Sequence, residues 1–171
     1  RGIALEHMRK LAEVTQETIY LGVLEGLEVF YLERINSPLP IRPHTKIGGR
    51  NQLYCTGLGK AILAFSDERL VEEVVKTGLV KRTEQTITDP GLLMSELHRT
   101  RQRGFSCDNM ENEEHVKCVA APIYNGRGRV IAAISISGPS FRMEDKRMES
   151  QLGPLVVEAG VSISRELGYL S

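Results

Sequence analysis

Hydrophobic positions along the chain change their spacing, and these changes separate helical from extended segments. Apolar residues at helical spacing predict an amphipathic first helix within residues 1–17. Residues 18–36 are instead rich in β-branched and aromatic side chains around Glu25-Gly26, which predicts a hairpin of two antiparallel strands. The residues that recur at this helical spacing are Leu5, Met8, Leu11, Ala12 and Thr15.

A long loop is expected after this hairpin. Residues 37–57 contain three prolines and three glycines, which block a continuous helix and favour irregular backbone with short edge strands. Loops of this length are uncommon in compact domains unless they serve a function. We therefore treat this loop as a candidate wall of a binding site.

Three helices are expected in the middle of the chain, each marked by a capping residue. Thr56 can cap the first helix, and Ser66 or Asp67 can cap the second. The third begins at Asp89-Pro90, where a capping side chain is followed by the fixed backbone angle of proline. These helices separate the first hairpin from the extended segments that follow.

The strongest local signal is a second hairpin, formed by two apolar runs within residues 117–138 around the turn sequence at 125–128. A last amphipathic helix follows, in which Gly153-Pro154 predicts a kink or a local restart. Hairpin-linked strands form antiparallel sheets, on whose faces helices can pack. The order of elements therefore predicts an α+β fold, with an antiparallel sheet of about six strands and helices on its faces.

Composition and charge are those of one soluble globular domain. The 171 residues are 41% hydrophobic and 26% charged, which is far from the composition of disordered chains. The 22 basic and 22 acidic residues balance, so no DNA-binding footprint is visible in the totals. No apolar run approaches the roughly 18 to 20 residues that span a bilayer, and no secretory signal opens the chain. We therefore expect no membrane partner and a cytoplasmic location.

Cysteines and histidines give no sign of a disulfide or metal framework. Cys55, Cys107 and Cys118 are widely spaced, without a C-x-x-C pair, which predicts reduced thiols. The four histidines are scattered without the spacing of metal ligands. We therefore predict neither a metal nor a cofactor.

Four motifs occur in a specific order along the chain. They are a G-x-G-K-A turn at residues 57–61, R-G-F-x-x-D at 103–108, E-x-x-x-x-C-x-A-A-P at 113–122 and S-x-S-G-P at 135–139. In this order and spacing, over essentially the whole chain, they resemble the effector-binding domain of the IclR family of bacterial transcription regulators.

This resemblance implies a single GAF-like effector-binding domain over residues 1–171. In a full-length regulator, the domain would follow a winged helix-turn-helix that is absent here, with residues 1–17 as the junction helix. The implied partners are a small organic-acid effector, such as a sugar acid or keto acid, and operator DNA, bound through the missing domain. Assembly into a homodimer or homotetramer, and repression of a carbohydrate or organic-acid catabolic operon, are also implied.

The glycine-bearing turn around Gly57 is the first candidate site. Unsatisfied amides at a helix start lie at the positive end of the helix dipole and suit a carboxylate. Glycines that only cap and pack the helix are the alternative interpretation. The resemblance favours binding, since the family's effector carboxylate lies at this turn, and it selects Gly57 and Leu58 as effector contacts.

Polar residues near the predicted strand ends complete the candidate site. Asp108, taken alone, is typical of a solvated aspartate, but the resemblance implies that it faces the pocket. Alternation places Ser135 and Ser137 on one strand face, which could be a cavity floor or a solvent-facing edge. Cys118 is typical of a small buried hydrophobe, and the resemblance places it in the pocket with the two serines.

Further lining residues are expected from the long loop and from the strand after residue 115. They are Asn51, Tyr54, Val116 and Ala120. The sequence departs from the family pattern at His115, where glycine is common. A larger, titratable side chain there would narrow the pocket or contact a hydroxyl-rich ligand.

The residues leave more than one function open. An effector sensor requires only that its ligand contacts differ between two arrangements of the protein. The alternative from another class is a GAF-like thiol-based redox sensor or enzyme, with Cys118 as nucleophile and Cys107 or Cys55 as resolving thiol. A purely structural oligomerisation domain is a third possibility. No spacing identifies a catalytic base, and an apolar strand would keep the pKa of Cys118 high, so the sensor is favoured over an enzyme.

Overall fold

A six-stranded antiparallel sheet forms the centre of the computed structural model, which describes all residues 1–171. Its strand order is β3-β2-β1-β6-β5-β4, so the two hairpins lie side by side and β1 pairs with β6. This architecture confirms the predicted α+β class and the number of strands. The strands are β1 (Thr18–Glu25), β2 (Glu28–Ile35), β3 (Arg50–Gln52), β4 (Ser106–Asn109), β5 (Val116–Tyr124) and β6 (Val130–Pro139).

The helices begin where the sequence signals predict. The side chain of Thr56 accepts a hydrogen bond from the amide of Gly59, and that of Asp89 accepts one from the amide of Leu92. Of the two candidate caps for the second middle helix, Asp67 is the one that bonds. The helices are α1 (Gly2–Thr15), α2 (Gly57–Ala64), α3 (Glu68–Thr77), α4 (Pro90–Arg103), α5 (Asp145–Arg147) and α6 (Gly153–Glu166).

Irregular backbone appears at the predicted interruptions. The first hairpin turns at Gly26, whose φ of 62° is left-handed and suits glycine. Before α6, one π-helical turn spans Met148–Leu152, and the α-helix restarts at Gly153 as the Gly-Pro pair predicts. No helix of the protein combines the length and the apolar character that a bilayer crossing requires.

Side chains alternate between two hydrophobic cores, one on each face of the sheet. Ile134 and Ile136 pack with α1 and α6, whereas Ala133 packs with α2, α3 and α4. This confirms the predicted alternation along β6. The serines of β6 share the face of Ala133, so the side of the sheet that carries α2 also carries the polar positions.

Gly59 allows α2 to approach the chain segment before it. A Cβ at this position would lie 2.4 Å from both the Cα and the carbonyl oxygen of Leu53, which are backbone atoms that cannot rotate away. We expect Gly59→Ala to lower the free energy of unfolding by about 3 kcal/mol, the upper range for overpacking. Urea unfolding measures this, with Gly2→Ala as control because a Cβ there meets nothing within 4 Å. Equal stabilities of the two variants would contradict the prediction.

Candidate functional site

A narrow cavity of about 30 Å³ lies between the start of α2, the central strands and the loop after β2. It brings together all six residues that were predicted to contact an effector: Gly57, Leu58, Asp108, Cys118, Ser135 and Ser137. Its other walls are Tyr20, Tyr31, Pro43, Thr45, Thr56, Asn112, Glu113 and Val116. Residues from distant parts of the chain therefore converge on one polar space.

The N-terminal turn of α2 forms one wall of the cavity. Thr56 accepts the amide protons of Gly59, through its hydroxyl, and of Lys60, through its carbonyl oxygen. The amides of Gly57 and Leu58 take no part in these capping bonds, and both residues border the cavity. A Cβ at Gly57 would lie 3.0 Å from the Cβ of Cys118, so glycine lets the helix start approach β5 closely.

Strands β5 and β6 form the floor. Their register pairs Cys118 with Ser137 and Ala120 with Ser135, and the Ser137 hydroxyl donates to the Cys118 sulfur at 2.9 Å. The Ser135 hydroxyl belongs to a residue only 1% exposed, opens into the cavity and is bonded to no other protein group. Because β1 pairs with β6, Tyr20 lies beside Ser135. The floor thus presents one free hydroxyl in a space largely shielded from water.

Asp108 is a buried carboxyl group at the edge of this floor. Its Oδ1 accepts the amide proton of Glu111 at 2.8 Å. Burial, followed by repulsion from the Glu111 carboxylate, raises the pKa of Asp108 to about 7, although the nearby Lys60 ammonium acts in the opposite direction. Asp108 can therefore hold a proton near neutral pH and act as a hydrogen-bond donor inside the cavity.

Lys60 lies behind the cavity and has no exposed side-chain surface. Its Nζ donates to both carboxylate oxygens of Glu111, at 2.8 and 2.9 Å, and to the carbonyl oxygen of Cys107 at 2.5 Å. The Glu96 carboxylate is 3.6 Å away. Burial disfavours the ammonium ion, but Glu111 and Glu96 offset this, and the pKa of Lys60 lies above its ordinary value. Lys60 was part of the recognised turn motif, yet its burial has no signal in the sequence.

The loop between β2 and β3 forms the roof, where Pro43 and Thr45 border the cavity. Its Thr45 amide donates to the Tyr20 hydroxyl at 3.0 Å, and the Thr45 carbonyl accepts from Arg34 at 2.7 Å. Tyr20 and Tyr31 contact each other edge to face, with ring centroids 5.4 Å apart. Sequence reasoning missed these tyrosines, because the pairing of β1 with β6 brings Tyr20 to the serines and the pairing of β2 with β1 brings Tyr31 next to it.

Of the four further lining residues that were expected, Val116 borders the cavity and the other three lie outside it. Tyr54 points into the core on the α2 side of the sheet, and its hydroxyl donates to the carbonyl of Val80. Asn51 is hydrogen-bonded to Arg82 and to the Tyr31 hydroxyl at the edge of the sheet. Ala120 is fully buried in the same core as Tyr54. Their place in the long loop or in β5 did not determine the direction of their side chains.

His115 does not narrow the cavity, so that expectation was wrong. Its side chain is exposed and absent from the cavity wall, while its backbone has a φ of 65°. Glycine adopts this left-handed conformation without strain, and histidine is one of the other residues that tolerate it. The departure from the family pattern therefore concerns the turn before β5 rather than ligand contact.

The structure gives no support to Cys107 as the resolving thiol of Cys118. Cys118 faces the cavity, whereas Cys107 packs against the core on the opposite sheet face. Burial raises the pKa of Cys55 to about 12, that of Cys107 to about 11 and that of Cys118 well above its ordinary value, which disfavours the reactive thiolate form of all three. No group of three or more His, Cys, Asp or Glu side chains is placed to hold a metal ion.

A more spacious groove of about 250 Å³ lies between α6, the end of β5 and the C-terminal residues. Its lining is largely aromatic and aliphatic, and it contains none of the predicted binding residues. The narrow cavity is the stronger candidate because polar groups converge there with few protein partners, which is what a small polar ligand requires.

Comparison with known proteins agrees with this geometry. The family model described as "Bacterial transcriptional regulator IclR C-terminal" matches residues 1–165. The chain belongs to the IclR family. The HTH-type transcriptional regulator KdgR of Escherichia coli K12 is 38% identical to this IclR-family domain over 163 residues, which are 95% of this chain and 62% of KdgR. The HTH-type transcriptional repressor AllR of the same organism is 34% identical over 168 residues, 98% of this chain and 62% of AllR.

Solved structures give the same result. The Thermotoga maritima IclR superimposes with a TM-score of 0.94 at 35% identity, covering 99% of this chain and 68% of that one. An IclR homologue from Microbacterium hydrocarbonoxydans in complex with 4-hydroxybenzoate has a TM-score of 0.87 at 28% identity. The superposition covers 98% of this chain and 67% of the homologue. This IclR-family domain thus spans about 62% of the curated relatives above, which are regulators and not enzymes.

The raised pKa of Asp108 makes stability depend on pH. Between the unfolded pKa of about 3.9 and the folded pKa of about 7, the folded state keeps a proton that the unfolded state loses, so stability falls as pH rises. From pH 5 to pH 8, deprotonation of Asp108 should lower the free energy of unfolding by on the order of 2 kcal/mol. We expect Asp108→Asn to abolish that loss, as measured by urea unfolding at both pH values. The exposed Asp145→Asn serves as control, and an equal pH response of both variants would contradict the prediction.

Lys60→Met tests the buried ion network. The substitution keeps the apolar stem but leaves Glu111 and Glu96 without their buried cation, which should cost about 3–5 kcal/mol of unfolding free energy. Adding Glu111→Gln removes one uncompensated charge, so we expect the double variant to regain at least about 1 kcal/mol. Chemical denaturation of the four proteins in this cycle provides the measurement. Additive losses would show that the ion pair does not contribute as described.

Proposed function

We propose that this chain is the effector-binding domain of a transcriptional repressor of a carbohydrate or organic-acid catabolic operon. The proposed effector is a small organic anion, such as a sugar acid or keto acid, bound in the narrow cavity. The observation that carries the proposal is the convergence of the Gly57 and Leu58 amides with the free Ser135 hydroxyl. Such donors, at a helix start and shielded from water, suit a carboxylate group.

The protonation of Asp108 supports an anionic ligand despite the absence of Lys and Arg from the cavity walls. An ionised carboxylate there would repel the effector, but a pKa of about 7 allows a neutral acid that donates a hydrogen bond instead. Hydroxyl groups of Ser137, Tyr20 and Tyr31 surround the same space and suit the hydroxyl or keto oxygens of the effector. The affinity for an anion should therefore decrease as pH rises through this range.

The size of the cavity supports a sensor that changes conformation. A volume of about 30 Å³ matches one water molecule, and even a small organic acid is several times larger. We therefore expect the loop that carries Pro43 and Thr45 to move outwards when the effector binds. A ligand that binds more tightly when the loop is lifted shifts the population towards that arrangement. This difference in affinity between the two arrangements is all that a regulator requires.

The names of the relatives support a regulatory role. AllR is named a repressor, and the Microbacterium homologue was crystallised with 4-hydroxybenzoate, an aromatic organic acid. The longer length of the relatives and the balanced charge of this domain support the proposal that operator DNA is bound outside residues 1–171. We further propose a homodimer or homotetramer, and the cytoplasm as the location, since operator DNA lies there.

Ligand-induced thermal stabilisation tests the proposed function. We expect one or more members of a panel of sugar acids, keto acids, dicarboxylates and 4-hydroxybenzoate to raise the melting temperature. At a ligand concentration of a hundredfold the Kd, the stabilisation should reach about 2.7 kcal/mol. A panel in which no compound stabilises the domain at millimolar concentration would contradict an organic-anion sensor.

Ser135→Ala tests whether the stabilising ligand binds in the narrow cavity. The variant removes a hydroxyl that has no protein partner, so the melting temperature without ligand should stay nearly unchanged. The loss of one hydrogen bond to a charged group should weaken ligand binding about tenfold or more. Isothermal titration of the ligand found above measures this, with Ser95→Ala on the exposed face of α4 as control. Unchanged affinity in Ser135→Ala would place the ligand elsewhere.

A further inference from the structure

The roof of the cavity is also bonded to the end of the first helix. We define the roof loop as residues 36–49, between β2 and β3. At the beginning of the loop, the Ser37 hydroxyl donates to the carbonyl of Gln16 at 2.6 Å, and the Ser37 amide donates to the Thr18 hydroxyl at 3.1 Å. Farther along, Arg142 donates to the carbonyl of Ile41 at 2.7 Å. The loop therefore contacts the corner between α1 and β1 directly at Ser37, and it contacts Arg142, after β6, at a second point.

The second point leads into a buried ion cluster, which we call the Glu17 cluster: Glu17, Arg142 and Arg147. Glu17 is 1% exposed, and both of its carboxylate oxygens accept hydrogen bonds from Arg142 at 2.9–3.1 Å. Arg147 donates to the same carboxylate at 2.7 Å and to the carbonyl of Thr15, the last residue of α1, at 2.9 Å. Charge-assisted bonds of this kind are strong, and separating a buried pair is costly, so these groups should move together.

The floor of the cavity reaches the same cluster from the other side. Ser137, which borders the cavity, pairs with Thr18, the residue after Glu17. The next residue, Gly138, lies so close to the cluster that a Cβ there would be 3.0 Å from a Glu17 carboxylate oxygen. Both the roof and the floor of the cavity are thus in contact with the group that holds the end of α1.

We propose that the Glu17 cluster couples the position of the roof loop to the last turn of α1. When the loop lifts, Arg142 loses the Ile41 carbonyl, and its guanidinium group shifts against Glu17 and Arg147. Because Arg147 also holds Thr15, the end of α1 loosens. This inference rests on the proposed function in assigning the effector to the cavity, while the coupling itself is a property of the chain.

Hydrogen exchange of α1 without any ligand tests this coupling. Tyr20→Phe removes the hydroxyl that accepts the Thr45 amide and so loosens the roof loop. We expect the amides of residues 11–16 to exchange about fivefold faster, at the low end of usual coupling between sites. In an Arg142→Gln background, adding Tyr20→Phe should change these rates by less than about twofold, because only the bonds of Ser37 at the start of the loop then join it to the end of α1. Tyr54→Phe, which removes a hydroxyl bonded to Val80 instead, is the matched control and should leave α1 unchanged.

Arg142→Lys replaces Arg142→Gln if that variant does not fold, since lysine keeps a cation beside Glu17 but lacks the guanidinium fork that reaches both Glu17 and the Ile41 carbonyl. The proposal is overturned if Tyr20→Phe leaves α1 exchange unchanged, or if it accelerates exchange equally with and without Arg142. Either result would reject the coupling without bearing on the proposed function, which the ligand-induced thermal shift tests separately. Conversely, a panel without any stabilising ligand would reject the proposed function while the exchange measurements could still show the coupling.

Discussion

The buried ammonium group of Lys60 holds in place the elements that surround the cavity. It joins α2 to the backbone of β4 at Cys107 and to Glu111 in the turn that follows. Each buried charge loses several kcal/mol of hydration, so the arrangement is stable only while the ammonium and the carboxylates remain in contact. The position of the α2 start relative to Asp108 follows from this requirement. A polar cavity can therefore exist here without collapsing into the adjacent core.

The cavity combines groups that are each commonplace in the fold. Helix starts leave amides without partners, strands expose alternate side chains, and burial raises the pKa of carboxyl groups. Here these three effects meet around one space, with Gly57, Ser135 and Asp108 as their sources. Their convergence gives an environment that favours a carboxylate ligand without a lysine or arginine. His115, which has a left-handed backbone conformation in the turn before β5, is exposed and lies outside the cavity wall.

The neighbourhood of the Glu17 cluster suggests why a sensor of this kind needs a roof loop. A ligand enclosed by a rigid shell would change nothing beyond its own contacts, whereas a movable roof converts occupancy into displacement. Ser37 and Arg142 attach that roof to the corner after α1. If the DNA-binding part of the regulator precedes this helix, as the family resemblance implies, the corner is a natural place for the displacement to be passed on.

The sequence alone determined the local elements of this protein, because their causes lie within a few residues. Caps at Thr56 and Asp89, the turn at Gly26 and the alternation that puts Ser135 with Ser137 all depend on neighbouring positions. The family resemblance added the six effector contacts, whereas the lining residues expected from the long loop and from β5, namely Asn51, Tyr54 and Ala120, lie outside the cavity, since position in a loop or strand does not set side-chain direction. Only the tertiary structure decided that Tyr20 meets Ser135 and that Arg142 meets Glu17. Each of these contacts joins residues more than about 100 positions apart, and such pairings depend on how the whole chain closes the sheet rather than on local preference.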